Sequence, residues 1–385
     1  MQISSEVTAF LDDIIAIRRQ LHRHPELGFE EHDTHDLILR ELAKLAPDRV
    51  ETLAGTGVKA VWYAETPLAT LGFRADMDAL NTQEENDVEY ASACPGKMHG
   101  CGHDGHTALL IMLARLVDRH KDQLRHNVVL LFQPAEEGRC GANRMIESGA
   151  LDNPKIDLIY GMHLWPDVPK GKIGIRWGSQ MSRSCEFDII AHGRSAHGAS
   201  PQKGVDAVVA SAALIVMLQT AISRNVDPHQ DALLTIGSIS GGTARNVIAD
   251  HVEMNATLRV FSSEVYDSLM ARIHAMANGV ATATGARFEI IEKVQYPSVV
   301  NPRPLVEDLY TYLDSMDDTV LVEPAMPSED FACYQQQIPG LFIFLGIGGG
   351  KNRVPLHNSR FDFDEDALLT GLELYRRILG LGESR

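Results

Sequence analysis

What the chain lacks narrows it first. No apolar run approaches the roughly 20 residues needed to cross a bilayer, and the longest, Ala207-Val208-Val209-Ala210-Ser211-Ala212-Ala213-Leu214-Ile215-Val216-Met217-Leu218, reads as a buried helix. Positive charge is scarce: 35 Lys and Arg stand against 52 Asp and Glu, a formal charge of −17. That balance repels phosphate backbones and anionic lipid, so it argues against nucleic acid and membrane partners. Glu6, Asp12 and Asp13 stand where an export signal would carry basic and apolar residues, so a cytoplasmic protein is expected. The five cysteines are an odd number without regular spacing; they describe no disulfide framework and suit a reducing compartment. Cys94, Cys140, Cys185 and Cys333 read as small apolar residues. Glycine clusters only at Gly241-Gly242 and Gly346-Ile347-Gly348-Gly349-Gly350. The second has Pro355 and no helix behind it, which is wrong for a dinucleotide loop, and reads as a flexible loop near a site.

What is present is a pattern of two interleaved architectures. A chain of 385 residues exceeds what one core usually supports, so two domains are expected. Helical periodicity covers 6–22, 31–45 and 104–119, and strand-like runs cover 58–63, 70–75, 128–132 and 158–163. That alternation predicts an α/β domain with a helix-flanked mixed sheet. From about 184 to 294 the order becomes strand, helix, strand, strand, helix, strand, with strands at 185–191, 233–239, 252–260 and 287–294 and helices at 204–223 and 263–283. This is the split βαβ order of a ferredoxin-like α+β unit. A strand at 341–345 and a helix at 364–380 then resume the α/β pattern. The expected organisation is an α/β domain in two parts, 1–182 and 296–385, interrupted by an inserted ferredoxin-like α+β domain at 183–295.

The chemistry concentrates in Met98-His99-Gly100-Cys101-Gly102-His103-Asp104-Gly105-His106 and in Gln133-Pro134-Ala135-Glu136-Glu137-Gly138. Cys101 and His103, two apart among glycines that permit tight turning, project to one side of a looped backbone and suit a borderline-soft ion such as zinc. Glu136 and Glu137 are adjacent and point in different directions, which suits one metal ligand and one general base. Two ions would need five or six ligands, and His163 and His357, at strand ends among 16 histidines, are candidates by position. A surface or packed histidine is the plain alternative at each.

These residues resemble the M20 family of metal-dependent amidohydrolases and peptidases, in the branch of hippurate hydrolase, auxin-conjugate hydrolases and N-acetyl-diaminopimelate deacetylase. The likeness runs nearly end to end, through Arg18-Arg19-Gln20-Leu21-His22-Arg23-His24-Pro25-Glu26-Leu27-Gly28, Arg74-Ala75-Asp76-Met77-Asp78-Ala79-Leu80, the Cys101–His106 stretch, the Glu pair, Ser195-Ala196-His197, Gly241-Gly242-Thr243-Ala244-Arg245-Asn246-Val247-Ile248, Ser328-Glu329-Asp330-Phe331 and Leu356-His357-Asn358. The resemblance implies metal ligands at Cys101, His103, Glu137, His163 and His357, and a general base at Glu136. It implies that Asp76 orients part of the site, while Asp78 reads as structural; a buried strand-end Asp satisfied by backbone N–H groups is the alternative for both. His197 is expected to stabilise an oxyanion, often in the neighbouring subunit's site, and Asn246 and Arg259 to hold a substrate carboxylate. Alternation along 254–259 also fits a solvent-facing Arg259. His22 and His24 receive no role and read as a helix end.

The function so implied is hydrolysis of an N-acyl amino acid by two divalent ions per subunit, with zinc, manganese, cobalt or nickel all compatible with the ligands. A metallo-dipeptidase or aminoacylase of the same family is the rival within catalysis, and a non-catalytic metal- and ligand-binding homologue the rival outside it. A homodimer through the inserted domain is expected from its sheet edges and apolar helix. Asn81 and Ala249 replace prolines common in relatives, and Arg139-Cys140 replace small residues after the Glu pair. Arg139 and Cys140 are expected close to the pocket.

Overall fold

The computed structural model describes residues 1–349 and 354–382. It divides into two compact units, one of Met1–Gln180, Val300–Glu323 and Asp330–Arg385, the other of Met181–Val299 and Pro324–Glu329. The second unit is thus supplied mainly by a segment lying, along the chain, between two parts of the first.

The first unit is built on an eight-stranded mixed sheet in the order Arg49–Leu53, Gly57–Trp62, Asn127–Gln133, Thr70–Asp76, Leu158–Pro169, Gly340–Gly348, Ile173–Ile175, Thr319–Leu321. The central run from Asn127–Gln133 to Gly340–Gly348 is parallel. Gly57–Trp62 and Thr70–Asp76 are buried at every position, as strands covered on both faces must be. Helix His103–Arg119 is correspondingly buried nearly all round and packs against Leu11–Arg23 and Leu368–Ile378. The helix expected over 6–22 comes in two pieces, Ser5–Thr8 and Leu11–Arg23. The Phe10 N–H bonds to the Val7 carbonyl three residues back, a tighter turn that re-aims the chain while burying Val7, Phe10 and Ile14 together.

The glycines after 345 correct an expectation. Gly346 and Gly348 belong to the strand, and a Cβ on either would stand 2.1 Å from the Pro169 or Pro166 carbonyl oxygen. They permit close backbone approach rather than flexibility, and Gly350 of the same cluster lies outside the described residues.

The second unit carries a four-stranded antiparallel sheet in the order Ala232–Gly241, His251–Val260, Arg183–His192, Arg287–Tyr296. Helices Ala207–Ser223 and Ser263–Thr284 pack on it and on each other around one apolar cluster. In His251–Val260 the alternation is plain: Val252, Met254, Ala256, Leu258 and Val260 are buried, the pattern of a sheet with one covered face. Asp206 and Ser262 start the two helices by accepting N–H bonds from Val208, Val209 and Val265, and Gly285 in the left-handed region ends the second. Ala196-His197 and Val247-Ile248 form a separate two-stranded ribbon.

No helix among the described residues is long and apolar enough to cross a membrane.

Candidate metal centre

The site-bearing residues gather around the carboxyl ends of the parallel strands, where open α/β sheets place their sites, although His163 lies inside strand Leu158–Pro169 and His357 in a turn rather than at strand ends as expected. Asp76 and Gln133 close two paired strands in register. Arg74 pairs with Gly161 on the next strand, so Asp76 and His163 lie at about the same level. Between Cys101 and His103 stands Gly102 with φ of 88°, which turns the chain from the loop into the helix so that its first residue faces the strand ends.

Cys101, His103 and His163 offer one ligand atom each within 4.8 Å of one another, and so do Cys101, Glu137 and His357, and His103, Glu136 and Glu137. Cys101 is common to the first two groups. Its Sγ lies 3.4 Å from His163 Nε2, and His357 Nε2 lies 3.1 Å from Glu137 Oε1. His103 Nε2 is buried without a hydrogen-bond partner among the described residues. Unpaired buried donors and acceptors are costly, and soft and hard ligand atoms converging at ligand spacing are what a divalent cation would satisfy. Asp76, His103 and His106 also cluster, but both Asp76 oxygens and both His106 nitrogens are already hydrogen-bonded. That group is not a ligand set.

Three of the candidate ligands are held by a neighbour. His103 directs Nδ1 to the Asp78 carbonyl at 2.9 Å, with the Asp78 carboxylate 3.3 Å away, which leaves Nε2 for an ion. His163 donates Nδ1–H to the Leu164 carbonyl at 2.7 Å. The His357 N–H bonds the Gly100 carbonyl at 2.8 Å, tying one ligand loop to another, and His357 itself has φ of 65°, a strained conformation for a side chain of its size.

Asp78 does more than its strand-end reading implied. Its two oxygens accept the Glu136 and Glu137 N–H groups, each at 3.0 Å, so one carboxylate fixes the backbone of the Glu pair and faces a ligand histidine. Ala135, with φ of 57°, turns the chain into that pair, and its N–H is held by Glu31 Oε1 at 2.9 Å. The orienting task expected of Asp76 falls, for His103, to Asp78. Asp76 instead pairs with Arg74 and His106, each at 2.6 Å, and only approaches His103 Nε2 at 3.8 Å.

The electrostatics fit a cation. Burial disfavours a charged His103, but Asp76, Asp78 and Glu137 outweigh it and raise the imidazole to about 10. Burial and the surrounding carboxylates push the Cys101 thiol well above its ordinary value. Burial, reinforced by His106 and His103, holds His163 neutral, far below its usual range. Burial opposes ionisation of Asp76, yet His103, His106 and Arg74 prevail and hold it well below the carboxylate range. This is a negative pocket whose thiol needs a positive partner to ionise.

The Arg18–His22 stretch is no mere helix end. Arg18, wholly buried, reaches Asp104 at 2.8 Å and Glu365 at 3.2 Å, and His22 bonds Asp104 at 2.7 Å and Glu84 at 3.2 Å. Both brace the residue next to His103. Nothing in local spacing could reveal a contact between positions 82 residues apart.

Within the second unit, His197 is exposed and its Nδ1 accepts the Ala199 N–H at 3.1 Å. Asn246 lies beside it, its carbonyl taking the Gly198 N–H at 2.7 Å. Arg259 is elsewhere: it pairs in register with Ser184, whereas the chain reaches His197 only after leaving the sheet at His192, roughly 26 Å of strand away at ~3.3 Å per residue. Arg259 alternates with the buried positions and so lies half-buried on the sheet's other face, where its Nη1 donates to the Met326 carbonyl at 3.0 Å. Arg139, expected near the pocket, donates to the Gly28 carbonyl at 3.1 Å, and Cys140 adopts a left-handed conformation with φ of 53°.

A helix-flanked mixed sheet with Cys, His and Glu side chains gathered at ligand spacing defines an α/β protein with a candidate metal centre. The chain belongs to peptidase family M20/M25/M40, whose sequence profile matches residues 72–380. It is 37% identical over 377 residues to the IAA-amino acid hydrolase ILR1-like 4 of Arabidopsis thaliana, covering 95% of this chain and 84% of that protein. It is 36% identical over 368 residues to an N-acetyldiaminopimelate deacetylase of Bacillus velezensis, covering 94% and 96%. Among solved structures it resembles a dinuclear metal binding peptidase of family M20 from Bacillus subtilis, with a TM-score of 0.82 and 33% identity over 97% of this chain and 99% of that one.

Proposed function

We propose that the protein is a dinuclear metal-dependent amidohydrolase that cleaves the amide of N-acyl amino acids to a carboxylic acid and a free amino acid. The observation that carries this reading is the pair of ligand groups sharing Cys101, with Glu136 placed beside Glu137 by the carboxylate of Asp78. Its support from relatives is the amide chemistry in their names.

Cys101, His103, Glu137, His163 and His357 would hold two divalent ions, zinc, manganese, cobalt or nickel. Ions at such ligands acidify water and polarise a carbonyl. Glu136 takes the proton of the attacking water as its oxygen bonds to the amide carbon. The same carboxyl then gives that proton to the departing nitrogen as the C–N bond breaks. His197 donates to the oxyanion formed on the way.

The placement of His197, Asn246 and Arg259 favours assembly. Asn246, beside the ribbon beyond one end of the four-stranded sheet, stands far from Arg259 near the other end, so two copies would supply the pair to one substrate carboxylate from different chains. The outer strand Ala232–Gly241 exposes Leu233 and Ile239, and helix Ala207–Ser223 exposes Val208, Val209, Val216 and Met217. These apolar groups suit a homodimer through this unit, with His197 serving the partner's site.

The test is release of free amino acid from a panel of N-acyl amino acids and dipeptides by protein loaded with zinc, manganese or cobalt. Turnover of N-acyl amino acids that chelation abolishes is expected. Turnover of dipeptides alone would move the reading to a peptidase, and binding without turnover across the loaded panel would overturn catalysis.

A further inference from the structure

We propose that His106 is a positioning residue for the ligand His163, acting through the backbone of Leu164. The inference rests on the metal reading above and concerns a histidine to which neither the ligand set nor the proton path gives a task.

Pairing between the Thr70–Asp76 and Leu158–Pro169 strands stops at Gly161, so beyond that point the Leu164 N–H has no strand partner on that side. His106 takes the strand's place: its Nε2 accepts the Leu164 N–H at 2.9 Å. A ring nitrogen that receives an N–H carries no proton itself, so the His106 proton sits on Nδ1, where it is donated to Asp76 Oδ1 at 2.6 Å. Asp76 is in turn clamped by Arg74 at 2.6 Å. The other end of Leu164 points the opposite way in function, because its carbonyl accepts Nδ1–H of His163 at 2.7 Å. Both polar groups of Leu164 are therefore committed to histidines, and the side chains of Arg74, Asp76 and His106 are all buried. The rings of His106 and His163 also meet edge to face with centroids 4.6 Å apart.

The consequence is a fixed tautomer at the metal. With Nδ1–H of His163 held by the Leu164 carbonyl, its Nε2 lone pair is presented toward Cys101. A chain from Arg74 through Asp76, His106 and Leu164 to His163 thus does for this ligand what Asp78 does for His103. Supports of this kind typically set metal affinity by 10–100-fold.

The experiment compares wild type with His106→Gln, His106→Asn and His106→Phe by cobalt(II) titration. The ligand-field spectrum and the thiolate charge-transfer band are followed, and affinity is measured by chelator competition. Gln offers a carbonyl oxygen where Nε2 stood and can still receive the Leu164 N–H, while Asn keeps only the bond to Asp76. Affinity within about threefold of wild type for Gln, a loss of 10–100-fold for Asn and Phe and an altered ligand-field spectrum in those two are expected. Equal affinity and spectra across all four proteins, or Gln as impaired as Asn, would overturn the proposal.

Should the variants unfold, wild type alone decides. Nitrogen-15 spectra of histidine-labelled, zinc-loaded protein must show His106 protonated at Nδ1 and unprotonated at Nε2; a proton on Nε2 overturns it. A wild type that binds no cobalt at all fails the metal reading itself, a different result from wild-type binding that is indifferent to His106.

Discussion

Burial acts on His22 and His163 alike, yet the two imidazoles end with opposite character. At His163 desolvation, reinforced by His106 and His103, outweighs Asp76 and the Leu164 carbonyl, and the ring is held far below its usual range, as a candidate ligand must be. At His22 desolvation is outweighed by hydrogen bonds to Asp104 and Glu84, and the ring is raised to about 9. A folded value above the unfolded one of about 6.5 contributes stability that is complete below that pH and is lost as pH rises through 9. We therefore expect His22→Gln to lower stability by on the order of 1–3 kcal/mol near pH 6, with the gap from wild type closing toward pH 9.5 in denaturant melts. A gap that stays constant over that range would contradict a protonated His22. Cys101→Ala removes the thiol shared by two ligand groups, and equilibrium dialysis should show loss of metal; full occupancy would remove Cys101 from the ligand set. The spacing of Cys101 and His103 and the adjacency of Glu136 and Glu137 are legible because a ligand pair or a base beside a ligand is a local pattern. Asp78 and His106 are not: their partners lie 58 residues on, at Glu136 and Leu164, and only the fold brings them together.

Elements are where local pattern and packing part company. Central strands and long helices announce themselves by apolar runs and periodicity, which is why Thr70–Asp76 and Ser263–Thr284 are readable. Edge pieces such as Arg49–Leu53 and Thr319–Leu321 are short and partly exposed, and composition hides them. Glycines mislead in the same way, since Gly346 reads as loop but serves a tight strand crossing. Gly102 combines both constraints, a φ of 88° and a Cβ position 2.8 Å from Leu164 Cδ1. Gly102→Ala should cost about 1–3 kcal/mol and weaken metal binding, because the helix start that carries His103 must shift. Gly149, with φ of 86° and nothing near its Cβ position, provides the control: Gly149→Ala should lower the melting temperature and leave metal affinity intact. Equal affinity in both variants would separate Gly102 from the site.

At the scale of the whole molecule, the change of pattern near residue 184 is legible as a change of period and element order. What the second unit does for the first is not, because exposed residues such as Val209 and Val216 look like core in sequence, and in the proposed homodimer a second chain would cover them. The proposed trans role of His197 makes a sharp prediction. Metal-loaded His197→Ala and Glu136→Gln homodimers should each be nearly inactive, yet regain activity after subunit exchange, since mixed dimers hold one site with both residues intact. No recovery despite proven exchange would place His197 outside the partner's site. The central claim, a general base working beside a metal pair, is tested most directly by measuring turnover of an N-acyl amino acid and metal content on the same preparations of wild type and Glu136→Gln. The account predicts unchanged metal content and a fall in turnover of roughly two orders of magnitude or more; near-normal turnover in the fully loaded variant would contradict it.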